Sequence, residues 1–361
     1  MSAFLFLGVH DLDLYSTPMD SNSGVRLINI TSTENLLEIK PRFIENGRSV
    51  LFLVFSGDYL SPKPWDYRLS KSDREGQAVD YLTPNGVLDY NVLPDEHGIL
   101  VLKARSGLEM DETDFDFYDD LQGWELWYFN LQSSEMVLLE ASTELPISVG
   151  YYMLGLGMLP DFDSDEFLVS SPKETAQIII RRHKKEDLSY FRFCHPDSID
   201  NDGILFETEA WKSYSDTPWW PTITWLDENN FVTVSFESNE DCHITQYEGL
   251  FSIVKVDLQS KSREVLFQDL LLSPFPKIVL DPSATFLYFQ RMGEDKEITE
   301  LWSLNLKTKS SEMIYKVKGE LGEVRFSLDG SSLIFTQFEG NNFDIICLDL
   351  DINKIHRLAG K

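Results

Sequence analysis

From Glu323 to Gly360 the chain reads EVRFSLDGSSLIFTQFEGNNFDIICLDLDINKIHRLAG, four short apolar runs each stopped by a polar turn. Val324, Phe326 and Leu328 alternate until Asp329-Gly330, and Leu333 and Phe335 alternate until Gly340-Asn341-Asn342. The third run carries Ile345, Cys347 and Leu348, and the fourth closes on Ile355 and Leu358. Side chains of a strand alternate between faces, and Asp-Gly or Gly-Asn suits tight turns, so the pattern predicts four antiparallel strands. One such unit cannot bury both its faces and must stack on others.

The unit recurs. ELWYFNLQSSEMVLLEA from Glu125 and ELWSLNLKTKSSEMIYKV from Glu300 share a strand, an Asn-Leu, a polar turn and a second strand. FSIVKVDLQSKSREVLFQD from Phe251 and FDIICLDLDINKIHRLAG from Phe343 have the same shape, with Asp-Leu at the turn. The preceding pair of strands recurs from Lys40, Leu88, Pro221 and Pro276, and in a distorted copy, YYMLGLGMLPDFDSDEFLVS, from Tyr151. Strand A of each unit then begins near residues 40, 88, 151, 222, 277 and 324. Four-stranded repeats with a period of about 40 to 50 residues predict an all-β fold, a β-propeller of four-stranded antiparallel blades. Residues 1–361 read as a single domain with full blades starting near 36, 87, 148, 221, 276 and 323. Residues 1–35 form an incomplete N-terminal blade or ring-closing strands, so seven blades are expected, with six the alternative.

FSLDGSSLIF followed by DIICLDLDINKIHRLAG resembles the TolB-type propeller repeat, an F-S-P-D-G turn between strands, then an I-Y-x-x-D-L strand and a closing L-T; Leu328 stands where that repeat has proline. The resemblance implies a propeller serving as a protein-interaction scaffold or as the substrate gate of a prolyl-oligopeptidase-like enzyme. Fold alone does not choose between them.

Composition narrows the choice. A chain of 361 residues that is 42% hydrophobic can bury a large core. Its net charge of −29 argues against nucleic acid and anionic membrane as partners, since both are negative, and points to a basic protein. Three widely spaced cysteines, Cys194, Cys242 and Cys347, with no CxxC pair, predict free thiols. The apolar run Ala3–Val9 has no preceding Lys or Arg, so the chain reads as cytoplasmic, and as a monomer on its own.

Catalytic signatures are sparse. G-x-S-x-G, HExxH, the P-loop and a Rossmann glycine pattern are all missing from the sequence. The six histidines are scattered; Cys242-His243 has no second ligand pair, and Asp197, Asp200 and Asp202 before Gly203 lack the closing Glu of a calcium loop. No cofactor and no metal is therefore expected. A propeller hydrolase or lyase with a channel-lining carboxylate site is the alternative function, and Asp89, Glu323 and Arg325 on A strands are its candidates.

In a propeller the B–C loops and the interblade D–A loops leave one rim, and the A–B and C–D turns leave the other. The loop LEMDETDFDFYDD holds Glu109, Asp111, Glu112, Asp114, Asp116, Asp119 and Asp120, interleaved with Phe115, Phe117 and Tyr118. ESNEDCH adds Glu237, Glu240 and Asp241, and GEDKEITE adds Glu294, Asp295, Glu297 and Glu300. Trp219 and Trp220, flanked by prolines outside the repeated positions, open on the same rim. Negative charge steers a basic surface and aromatic side chains hold it, so this rim is the expected partner-binding face of a non-catalytic module, an inhibitor or immunity-type protein. Acidic loops that only solubilise the protein are the competing reading.

Overall fold

The computed structural model describes residues 26–31, 37–55, 67–76, 79–93, 96–104, 123–142, 166–171, 173, 175–185, 188–196, 203–209, 223–238, 249–269, 278–293, 295, 297–322, 324–339 and 342–350. These form strands and turns, and no α-helix occurs among them. The N-terminal strand is β1 (Arg26–Asn29). One blade follows as β2 (Leu37–Ile44), β3 (Ser49–Phe55), β4 (Tyr67–Asp73) and β5 (Val79–Tyr81). The next is β6 (Val87–Val92), β7 (Gly98–Ala104), β8 (Trp124–Asn130) and β9 (Met136–Ser142). The third is β10 (Glu166–Ser170), β11 (Gln177–Lys185), β12 (Leu188–Cys194) and β13 (Ile204–Glu209). The fourth is β14 (Ile223–Trp225), β15 (Asn230–Ser238), β16 (Gly249–Asp257) and β17 (Arg263–Asp269). The fifth is β18 (Val279–Leu280), β19 (Phe286–Met292), β20 (Ile298–Asn305) and β21 (Ser311–Lys318). In the sixth, β22 (Glu320–Leu321) and β23 (Arg325–Phe326) are two pieces of an interrupted inner strand. Both pair with β24 (Ser332–Glu339), which pairs with β25 (Asn342–Asp349).

The sixth blade takes its fourth strand from the other end of the chain. β1 pairs antiparallel with the outer edge of β25, from Arg26↔Asp349 to Asn29↔Ile346. The expected fourth strand, carrying Ile355 and Leu358, lies outside the described residues, and the edge assigned to it holds β1 instead. Of the two roles foreseen for the N-terminal set, β1 fills the ring-closing one, and six four-stranded units are described. One parallel bridge, Leu37↔Phe343, links the sixth blade to the first. Between them Ile28 and Ile30 pack with Val50, Phe52 and Val54 of β3 and with Ile334, Ile345 and Cys347.

Stacking follows the period of two. β3 is buried along its length because successive residues face two neighbours: Val50, Phe52 and Val54 meet the sixth blade, while Leu51, Leu53 and Phe55 meet the second. Similar clusters join the third to the fourth blade, the fourth to the fifth and the fifth to the sixth. Phe335, Ile345, Leu287, Phe289, Val232 and Val234 are buried as their alternation requires. Phe326 is only half-buried, its ring edge-on to Tyr288 at 4.9 Å, because β23 is two residues long at the end of the inner strand. Trp127 and Trp302, at equivalent points of two C strands, pack against the preceding blade.

The first described strand of the third blade is Glu166–Ser170; residues 148–165, where that blade was expected to begin, lie outside the described residues. EFLVS, which the distorted copy placed second, is first in its sheet. The second strand, QIIIRRHKK, ends in five consecutive basic residues that hide its alternation, although Ile178 and Ile180 are buried.

The outer strands share a bulge that exposes one difference between blades. The registers leave Leu139, Leu266 and Ile314 as the extra residues of β9, β17 and β21. Leu266 and Ile314 are 7% and 5% exposed against the next blade, whereas Leu139 is 54% exposed. The same side chain at the same repeat position is therefore core in one blade and surface in another.

Candidate functional site

The strand registers define the base of the acidic rim. Ala104↔Trp124 closes the foot of the 105–123 connection, Ser238↔Gly249 that of 239–248, and Met292↔Thr299 that of 293–298. Each is a B–C connection. The D–A connection 210–222 runs from β13 to β14 on the same side, since strands of an antiparallel blade alternate in direction. Asp111, Asp114, Phe115, Asp116, Phe117, Asp119, Asp120, Trp219, Trp220, Glu240, Asp241 and Glu294 lie outside the described residues. Asp295 is described and exposed; its carboxylate accepts the Glu297 N–H at 3.2 Å, and its carbonyl accepts the Ile298 N–H at 2.9 Å.

Around Asp295 the charge is partly neutralised. Glu297 pairs with Lys318 at 3.0 Å on the surface. Glu300 is part of β20 and not of the loop; it meets Arg291 at 2.8 Å and accepts the Trp302 indole N–H at 2.8 Å. Arg291 also lies over the Trp302 ring at 5.3 Å. The second blade repeats the device: Trp127 donates to Glu125 at 2.9 Å, with Lys103 directly opposite Glu125. The Glu-Leu-Trp repeat thus places a carboxylate where it satisfies the indole of a packed tryptophan, a structural use of that charge. Glu237 lies on β15 and is exposed.

The alternative site fares differently. Asp89 sits on β6, an innermost strand, and accepts Lys40 Nζ at 2.9 Å with both side chains largely buried. The same oxygen accepts the Tyr90 N–H at 2.8 Å. Tyr90 reaches across the blade boundary and donates its hydroxyl to the carbonyls of Lys40 and Leu51. Bulges in β2 and β6 bring the pair together, and Lys40 takes a left-handed φ of 55° to do so. Sequence reading selected Asp89 and missed Lys40, because a Lys-Pro inside a strand signals a bulge without naming its partner. Arg325 is exposed, and Glu323 lies outside the described residues.

No three His, Cys, Asp or Glu side chains converge among the described residues. Cys242, His243, Asp197, Asp200 and Asp202 lie outside them. Cys194 and Cys347 are buried and in no disulfide, and burial pushes the Cys347 thiol up against the opposing pull of Arg74.

The opposite rim is bound blade to blade. The Asn46 N–H donates to Glu96 at 3.0 Å between the first two A–B turns. Glu228 of the fourth blade accepts the hydroxyls of Ser171, at 2.5 Å, and Thr175, both in the third. These bonds hold its carboxyl below the usual carboxylate range. Among the described residues, Glu96 and Glu228 on that rim are used to bind neighbouring blades.

No protein-family model matches the chain, and no curated protein matches it. Among solved structures it is similar to oligogalacturonate lyase from Vibrio parahaemolyticus, at 13% identity and a TM-score of 0.50, covering 93% of this chain and 96% of that one. TolB from Acinetobacter baumannii matches at 9% identity and a TM-score of 0.38, over 88% of this chain and 79% of that one. The β-propeller domain of the Trilobed protease from Pyrococcus furiosus, described as having an open velcro topology, matches at 13% identity and a TM-score of 0.34, over 87% and 83%. At such identities the likeness bears on the fold and not on chemistry. With the sheet order it establishes an all-β propeller.

Proposed function

We propose that this propeller is a non-catalytic interaction module whose B–C rim binds a basic protein partner, in the manner of an inhibitor or immunity-type protein. The observation that carries the reading is the common edge on which the 105–123, 239–248 and 210–222 connections are rooted. In the sequence, seven carboxylates and three aromatic residues fall between Glu109 and Asp120 in the first of these connections, and Trp219 and Trp220 in the last. A chain of net charge −29 accelerates encounters with a basic surface, and aromatic side chains supply hot-spot burial once docked. The ion pair with Lys40 gives the Asp89 carboxylate a structural use, which supports the non-catalytic reading.

The test is affinity capture from native cell extract at low salt, with the parent chain beside a variant carrying Asp114→Asn, Asp116→Asn, Asp119→Asn and Asp120→Asn. The expected result is a stoichiometric basic protein retained by the parent and lost by the variant. Equal recovery by both would refute a binding role for this loop. A transition metal or calcium co-purifying in stoichiometric amount would instead favour the hydrolase or lyase reading.

A further inference from the structure

Six blades in a ring have six boundaries, and among the described residues five of them carry a shared apolar cluster. Side-chain bonds cross each of those five as well. Lys40 meets Asp89 between the first and second blades, and the Thr208 hydroxyl accepts the Phe236 N–H at 2.8 Å between the third and fourth. Lys309 pairs with Glu264 at 2.6 Å between the fifth and fourth, and Tyr315 donates to Gln337 at 2.7 Å between the fifth and sixth. Arg26 and Glu75, 2.7 Å apart, span the closure of the ring, where β1 joins β25. No apolar cluster among the described residues joins the second blade to the third.

Both walls of that boundary show the reason. The second strand of a blade packed on two neighbours is buried at consecutive positions, as residues 49–55, 231–235, 286–290 and 332–336 are. β7 differs: Ile99 and Val101 are fully buried against the first blade, whereas Leu100 between them is half-buried. In register with Leu100 stand Asn91, Tyr128 and Val137, and this row is exposed at both ends, Val137 at 53%. Tyr128 lies back over its own sheet, where a Cβ at Gly98 would collide with the ring.

β11 mirrors β7 from the other side. Ile178 and Ile180 are fully buried against the fourth blade, while Ile179 and Arg181 on the opposite face are half-buried. Arg181 stands opposite Arg192, which pairs with Glu207 at 2.6 Å. Guanidinium groups need water or a counter-charge, and a row of leucine, tyrosine and valine supplies no counter-charge. One wall is apolar and the other charged, so the two do not seal.

We propose that the boundary between the second and third blades is the seam at which this ring opens, and that the closure between the chain's two ends is not. Parting the sixth blade from the first would break the Leu37↔Phe343 bridge and expose Ile28, Ile30, Val50 and Phe52. Parting the second from the third exposes little that is now covered, and such low-cost openings are the ones a folded protein populates. The 105–123 connection is rooted on the second blade and 210–222 leaves the third, so opening changes the spacing between their roots. The inference is independent of whether that rim binds a partner.

The test is electron spin resonance distance measurement on the full chain, with cysteine pairs at exposed positions in a Cys242→Ser background. Gln132→Cys with Lys173→Cys spans the seam, Ser260→Cys with Ser283→Cys the fourth and fifth blades, and Arg48→Cys with Leu328→Cys the ring closure. The last two pairs should give narrow distributions that hold in urea below the unfolding transition. The seam pair should give a broad one that shifts to longer distance under the same conditions. Arg192→Leu with Glu207→Leu makes the third-blade wall more apolar and should narrow it. A seam pair as narrow as the others, or a ring-closure pair that spreads first, would overturn the proposal. So would a seam distribution that the apolar wall leaves unchanged. A far-UV circular dichroism spectrum matching the parent confirms that each variant is folded.

Discussion

Removing Asp89 should destabilise the protein far more than an ordinary surface charge. Lys40 Nζ has this carboxylate at 2.9 Å, and its side chain is 7% exposed. Asp89→Leu would remove the carboxylate that the buried ammonium meets at 2.9 Å, a change that costs about 3 to 5 kcal/mol when one partner of a buried pair stays behind. The Tyr90 N–H loses its acceptor as well, at about 1 kcal/mol or more. Lys40→Met strands the carboxylate, with a penalty of the same order, and it keeps an unbranched side chain at a left-handed φ, so backbone strain is held constant. The double variant Lys40→Met/Asp89→Leu removes both charges and should recover most of the loss, because desolvating two ions largely cancels their attraction. The assay is urea unfolding by tryptophan fluorescence across the four proteins, compared by midpoint where the slopes agree. Single variants that each lose under about 1 kcal/mol would mean the pair behaves as a solvated surface bridge, and the reasoning fails.

Other outcomes follow from the same packing. Leu266→Ala should cost about 2 to 3 kcal/mol and Leu139→Ala close to nothing, although both occupy one repeat position; equal losses in urea unfolding would show that the blade-two surface is core. Glu45, Asp329 and Glu264 are held below the usual carboxylate range by, in order, the Lys71, Ser327 and Lys309 side-chain hydrogen bonds. A depressed folded value contributes stability above the unfolded pKa and loses it as pH falls through the folded one. Thermal midpoints should therefore hold from pH 7 to about 5 and drop below about 4; a drop beginning above pH 6 would contradict this. Cys194 and Cys347 should resist thiol reagents in the native protein and react on unfolding, and thiol titration in denaturant should find all three cysteines free.

Much of this fold is written locally. FSLDGSSLIF announces a strand, a turn and a strand, and β23 and β24 occupy those places with Gly330 at a φ of 70°. Local pattern and pairing part company in two places. The basic end of QIIIRRHKK obscured β11 and shifted the third blade by one strand. IHRLAG, outside the described residues, carries the periodicity of a fourth strand, and alternation along the chain cannot say that Arg26–Asn29 pairs with the edge of β25. The site was legible as charge and spacing, and its base as the strand ends that root the loops. That Glu300 serves Arg291 and Trp302 required the register, since GEDKEITE reads as one acidic run.

The central claim, that the acidic rim recruits a basic partner, is tested most directly by association kinetics with the captured protein over a range of salt. Screening shortens to about 8 Å at physiological ionic strength, so the parent's on-rate should fall steeply between low and physiological salt. The variant with Asp114, Asp116, Asp119 and Asp120 all changed to Asn should associate more slowly at low salt and lose most of that dependence, with little change in dissociation. A variant that associates as fast as the parent at low salt would show that these carboxylates only solubilise the propeller.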